Sequence, residues 1–417
     1  MKKIFIIFIL ALVLRLSLVF VAHHGDLNNN ISWGNITLER GLNGYYEGGS
    51  WPYSNPNQPP LTILTFAATS YVWRSVENAS WFLNNKFEVF PSAFIWFWEG
   101  KGMDLTVKLP GIIADLLIGY LIYKFLKERN NKHAILLTGV WLFNPVTWYN
   151  SSIWGQTDPV VNLLGLASVI FLFKKDLVKS LVFLTLSILF KGSLAIFIPI
   201  IFAYAIFQRY SVKKWLTSIL FGMAAATLAS VWFHPKWDLF VWLFNLYKNR
   251  IFPGEIGYLT ANSFNFWWIV DPGKILDSTL YLGISARVWG IVVILITFII
   301  LIFYLWKKQN EKKLFISLIV VSLISFLFMT RIHERYLYPF FIPATILLGS
   351  FSGFIIPYIV FSLTHLLNLY NLFWAPGIPV LEKLYLKQAF PNVISLINLA
   401  VFFWLILYFF KLQKKDN

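Results

Sequence analysis

Apolar runs of membrane-spanning length recur along almost the whole chain, from residue 4 to residue 410. A backbone crossing hydrocarbon must satisfy its own N–H and C=O groups, so runs this long and apolar have to be helices. With 58% of its 417 residues hydrophobic and 13% charged, the chain reads as an all-α polytopic membrane protein, not a soluble domain. No fixed-period repeat, low-complexity tract or soluble domain interrupts it, so residues 1–417 read as one integral membrane domain.

The hydropathy pattern predicts about twelve transmembrane helices, at 4–22, 108–126, 134–149, 159–173, 179–191, 193–207, 215–233, 281–304, 314–330, 336–349, 352–368 and 393–410. The last pair before the C-terminal span, 336–349 and 352–368, also reads as one long helix, but that would put the basic tail on the opposite side. Short basic segments at 1–3, 124–132, 174–179, 208–214, 307–313 and 411–417 hold 19 of the 35 Lys and Arg residues but 4 of the 19 acids. Twelve spans place all of them on one face with both termini, and the positive-inside rule makes that face cytoplasmic. This accounts for +15 of the net charge of +16, so the basic balance calls for no nucleic-acid partner. The opening MKK and apolar run resemble a signal sequence, yet no small-residue cleavage site follows and Arg15 interrupts the run. It is read as an uncleaved anchor of a plasma-membrane protein, or of the endoplasmic reticulum in a eukaryote. Without cysteine there is no disulfide, thiolate metal site or cysteine nucleophile.

Three long connections, 23–107, 234–280 and 369–392, fall outside the cytoplasm on this topology. Loops as long as the first are usually functional. Its apolar stretch from Pro59, PPLTILTFAATSYVW, is expected to be interfacial or re-entrant, because counting it as a span breaks the charge parity. The amphipathic VLEKLYLKQAF of the third is expected on the membrane surface.

Ionisable groups that are costly in lipid mark candidate sites. Arg15, Asp115, Lys191 and Arg287 lie in or beside predicted spans, with Asp158 at a span end. Asp115 is best read as neutralising Arg15 or Lys191. Most other unusual polar residues fall on the external side, in HHGDLNNN, WGQTD, YLTANSFNFWW and RIHERY. Asp26 is the lone acid of the first 38 residues and stands where the first apolar run ends. It can cap the helix that Leu27, Ile31, Gly34 and Leu38 outline, or accept a proton at the membrane surface. If RIHERY opens a helix, Arg331 and Arg335 share a face, and with His333 they suit a phosphate. The plainer role for Arg331, Arg335 and Tyr336 is interfacial anchoring. Lys191 either snorkels to the surface or offers a point charge to a lipid phosphate. Asp158 either caps its span or touches substrate. Trp33, Trp154, Trp267 and Trp268 beside these motifs can stack on sugars, although interfacial belts explain most of the aromatic residues. No Walker, dinucleotide-binding or HExxH motif is present.

The ordered set GDLNNNISWGNITLERGLNGYYEG, YSNPNQPPLTIL, VKLPGIIADLL, NPVTWYNSSIWGQTDPV, LTANSFNFWW and RIHERYLYPF, which runs to about residue 345, resembles the GT-C superfamily of integral membrane glycosyltransferases. The nearest likeness is to bacterial and archaeal members related to the mannosyltransferases of the glycosylphosphatidylinositol pathway. The resemblance implies a polyprenyl- or dolichyl-phosphate sugar donor, with mannose favoured, and a glycan, glycolipid or protein acceptor. It also implies an extracytoplasmic active site and an inverting reaction with neither cofactor nor metal. Asp26 matches the family's catalytic base, and Leu-Asn-Asn-Asn follows it at 27–30, so the second carboxylate of some members is missing. Arg331, Arg335, His333 and Lys191 would hold the donor phosphate, and Asp158, Gln156, Asn262 and Trp154 the sugars. The rival is a lipid-linked sugar flippase or transporter. It should place polar residues through the full membrane depth, whereas here they crowd to one side.

Overall fold

The computed structural model describes residues 2–252, 256–307 and 309–416. Nineteen α-helices make up most of it. The first five are α1 (Lys2–Leu18), α2 (Gly25–Arg40), α3 (Pro60–Lys86), α4 (Ser92–Phe97) and α5 (Met103–Glu128). Next come α6 (Ala134–Phe143), α7 (Pro145–Trp148), α8 (Asp158–Phe173), α9 (Leu177–Phe190), α10 (Ile198–Phe207) and α11 (Val212–Ser230). After these follow α12 (Leu239–Leu246), α13 (Phe266–Val270), α14 (Ala286–Lys307) and α15 (Glu311–Phe328). The chain closes with α16 (Tyr338–Leu348), α17 (Ile355–Phe373), α18 (Pro379–Tyr385) and α19 (Ala389–Asp416).

Each of the twelve predicted spans falls on a helix, so the protein is an all-α polytopic membrane protein. Four helical stretches, Ser92–Glu128, Ala286–Lys307, Ser352–Phe373 and Ala389–Lys411, are long and apolar enough to cross a membrane unaided, and shorter apolar helices lie between them. Large apolar side chains stand exposed along α14 at Val288, Leu295, Ile299 and Phe303, and along α11 at Leu216, Leu220 and Leu228. Exposure of that kind is stable against hydrocarbon and costly against water.

Several boundaries differ from the hydropathy reading for definite reasons. Pro145 cannot donate a helical N–H, so the predicted span 134–149 breaks after Phe143. Asn144 caps the new start by accepting the Val146 N–H at 2.9 Å. The span predicted from 281 begins at Ala286, because Leu280–Tyr281 and Ile284–Ser285 pair as a small hairpin. Its turn, Leu282–Gly283, has positive φ at both residues, as a tight hairpin turn requires. Residues 336–349 and 352–368 give two helices, α16 and α17, rather than one. Arg287 stands exposed in the first turn of α14, at the very start of that helix.

The first long loop is filled by α2, α3 and α4. Gly34 lets α2 and α3 close on each other, since a Cβ there would collide with the Phe66 carbonyl. The apolar stretch from Pro59 is α3, a 27-residue helix that is not among those apolar enough to span. Asp115 meets Arg15 at 3.4 Å in the bundle core and accepts the Tyr338 hydroxyl, while Arg15 also donates to the Leu142 carbonyl at 2.9 Å. A buried ion pair is tolerable only when hydrogen bonds complete it, and here they do. Of the two partners expected for Asp115, the fold selects Arg15.

Candidate active site

Asp26 stands in the first turn of α2, yet it is not the cap. His24 occupies the N-cap position, and its Nδ1 accepts the Asp26 backbone N–H at 3.0 Å. Burial lowers the His24 pKa below its usual value, against the pull of the Asp26 charge, and keeps this nitrogen an acceptor. The ring is wedged between Trp154 and Phe373, with centroids 4.9 and 4.6 Å away. The Asp26 carboxylate is thereby free for other partners. Its Oδ2 accepts the Gln156 amide at 2.6 Å, and the side chain is 41% exposed, so it remains reachable.

Gln156 is delivered by an unusual backbone. Tyr149–Trp154 forms a π-helical turn, a feature frequent at functional sites. It ends at Gly155 with φ +81°, where a Cβ would strike Leu27 at 2.8 Å and Lys108 at 2.9 Å. Lys108, buried in α5, sends its ammonium to the carbonyls of Val19, Ala22 and Ile153 at 2.6, 2.8 and 3.0 Å. One side chain thus ties the segment leading to Asp26 to the segment leading to Gln156.

Facing them is a chain of paired charges. Lys191 Nζ donates to Asp158 Oδ1 at 2.9 Å. Arg335 approaches the other Asp158 oxygen at 3.8 Å and donates to Glu334 at 2.6 Å. His333 lies 3.8 Å from the second Glu334 oxygen. Burial opposes the Glu334 charge, but Arg335 and His333 override it and hold the carboxyl at about 2. Burial likewise opposes the Arg335 charge, and Glu334 and Asp158 outweigh it, so its pKa rises above the usual value. The Arg335 guanidinium also sits over the Trp154 and Tyr336 rings at 5.9 and 5.8 Å.

Asp26, Gln156, Lys191, His333 and Arg335 line one cavity of about 320 Å³. Five of the nine residues singled out in the sequence therefore converge. Asp158 lies behind Lys191 and reaches the cavity only through its ion pairs. Trp154 is 0% exposed, covered by His24, Phe373 and Arg335, so it stays outside the lining and offers no face to a sugar. Two further residues lie farther from the lining. The segment 329–337 is not helical, so Arg331 and Arg335 do not share a helix face. Arg331, with φ +61°, forks instead onto Asp277 at 2.6 and 3.0 Å. Asn262 packs behind His333 as a backbone bridge, and its carbonyl accepts Asn368 Nδ2 at 2.7 Å.

The cavity also draws on residues to which the sequence reading gave no site role. Asn29, Asn57 and Gln58 add amides, Tyr336 a phenol and Arg250 a cation. Asn29 accepts the Ser54 N–H and hydroxyl at 3.0 and 2.9 Å, and the Trp33 indole donates to the Ser54 carbonyl at 2.9 Å. The run YSNPNQPP carried this signal as a dense polar break in apolar sequence. Arg250 carried none, being an ordinary loop arginine. Among the described residues no group of three His, Asp or Glu side chains is arranged to hold a metal ion.

No family model matches the chain. It is similar to the dolichyl pyrophosphate Man9GlcNAc2 alpha-1,3-glucosyltransferase of Saccharomyces cerevisiae, 25% identical over 381 residues, covering 83% of this chain. The chain spans 65% of that relative's length. It is also similar to GPI mannosyltransferase 1 of Dictyostelium discoideum, 35% identical over 88 residues, 20% of each chain. With the all-α polytopic architecture, these similarities bear out the resemblance to GT-C membrane glycosyltransferases. The two relatives differ in the sugar they are named for, one glucosyl and one mannosyl.

Proposed function

We propose that the protein is a membrane glycosyltransferase that moves a hexose from a polyprenyl- or dolichyl-phosphate donor to an acceptor hydroxyl at the extracytoplasmic face. The observation that carries this reading is the meeting of Asp26, Gln156, Lys191, His333 and Arg335 around one cavity. Asp26 acts as general base and takes the proton of the acceptor hydroxyl. The freed oxygen attacks the anomeric carbon as the bond from that carbon to the phosphate oxygen breaks, inverting the configuration. The bonding electrons leave with the lipid phosphate, whose new charge Arg335, His333 and Lys191 stabilise within a partly desolvated site. Gln156 fixes the rotamer of Asp26, and Asp158 keeps Lys191 and Arg335 in place. Mannose and glucose are both in keeping with the relatives' names, and the acceptor is a glycan, glycolipid or protein.

The test is sugar transfer by purified protein from radiolabelled polyprenyl-phosphate-mannose and polyprenyl-phosphate-glucose to candidate glycan acceptors, with and without chelator. Wild type is expected to turn over one donor, and Asp26→Asn to fall by about 10²–10⁴-fold while still binding it. Full activity in Asp26→Asn would remove that residue from the chemistry.

A further inference from the structure

Among the described residues, the fixed charges around the cavity sum to a negative value unless one more residue is included. Lys191 and Arg335 are already matched by Asp158 and Glu334 through contacts of 2.9 and 2.6 Å. Asp26 then leaves the group one negative charge in excess. A sugar phosphodiester arrives with one negative charge and departs as a monoester with more. Arg250 cancels that excess. It comes from the second long loop, in the π-helical turn Tyr247–Ile251 after α12, and lines the same cavity. Its described partners are neutral: Nη1 donates to the Tyr46 carbonyl at 2.9 Å, and the guanidinium lies 5.9 Å from the Tyr46 ring. That contact uses one edge of the fork and orients the group, and the Tyr46 hydroxyl is itself held by the Gln58 carbonyl at 2.7 Å. An arginine so placed keeps further N–H donors for a phosphate.

We propose that Arg250 binds the phosphate of the lipid carrier and supplies the positive charge that the internally matched Lys191 and Arg335 do not. This rests on the lipid-phosphate reading of the cavity. The test is equilibrium binding of polyprenyl phosphate, without sugar, to wild type, Arg250→Gln and Arg250→Lys in detergent, with uncharged polyprenol as the second probe. Arg250→Gln is expected to weaken polyprenyl phosphate binding by about 10- to 100-fold and to leave polyprenol unchanged, with Arg250→Lys in between. Equal binding of the phosphate by Arg250→Gln and wild type overturns the assignment alone. A parallel loss for both lipids also overturns it, marking Arg250 as a tether of the loop to Tyr46. Wild type that ignores polyprenyl phosphate defeats the donor reading itself. On the unaltered protein, polyprenyl phosphate but not polyprenol is expected to shield Arg250 from phenylglyoxal, read by mass spectrometry. Unshielded Arg250 in protein that binds the phosphate counts against the contact even if Arg250→Gln does not fold.

Discussion

Replacing Glu334 by Gln isolates the energetic centre of the charge chain. Glu334 is 0% exposed and accepts from Arg335 at 2.6 Å. Its carboxyl is held at about 2 against an ordinary 4.5, so the folded state favours the charged form. A depressed acid pKa contributes stability that is present above the unfolded value and lost as pH falls through the folded one. The shift corresponds to about 3 kcal/mol, and breaking a buried pair by removing one partner costs about 3–5 kcal/mol. Glu334→Gln is therefore expected to lose about 3 kcal/mol at pH 7, measured by unfolding in mixed micelles with graded SDS. The gap from wild type should shrink to about half or less by pH 3, where the wild-type carboxylate is also losing its advantage. A variant as stable as wild type at pH 7, or a gap that ignores pH between 5 and 3, would refute the view that this ion pair holds the loop together.

Three further outcomes follow from the same geometry. Lys108→Met strips three carbonyls of their donor and is expected to cost about 3 kcal/mol or more in the same unfolding assay. If sugar transfer is confirmed, that variant should also lose kcat more than donor KM, since the Asp26–Gln156 contact loosens. Arg331→Gln should lower the melting temperature while leaving polyprenyl phosphate affinity unchanged, because Arg331 is committed to Asp277. Gln156→Leu should keep the fold but reduce kcat, read as turnover at saturating donor.

The fold was legible because lipid imposes one rule on every span, and hydropathy reads that rule directly. Where the rule is silent, local chemistry decided: Pro145 broke a helix and Leu282–Gly283 made a hairpin of a predicted helix start. Asp26 could be found because a lone acid beside an apolar run is conspicuous. Its release from capping could not, since that depends on the rotamer of His24. The pairing of Lys191 with Asp158 and of Arg15 with Asp115 depends on which helices touch, information that no local window holds. Arg331 misled for the same reason, as its true partner Asp277 sits 54 positions away. Arg250 became visible only once the charges around it had been matched.

A helix whose first turn is capped by an imidazole has an unusual weakness. Side-chain oxygens of serine or asparagine cap at any physiological pH, but the His24 nitrogen does so only while it lacks a proton. Burial guards that state, so the cap outlasts mild acidity. Once protonated, the same nitrogen becomes a donor facing the Asp26 N–H, and the start of α2 loses its fastening. Protonation of His24 would then disturb the placing of the proposed base through backbone shape, a route distinct from protonation of the carboxylate itself.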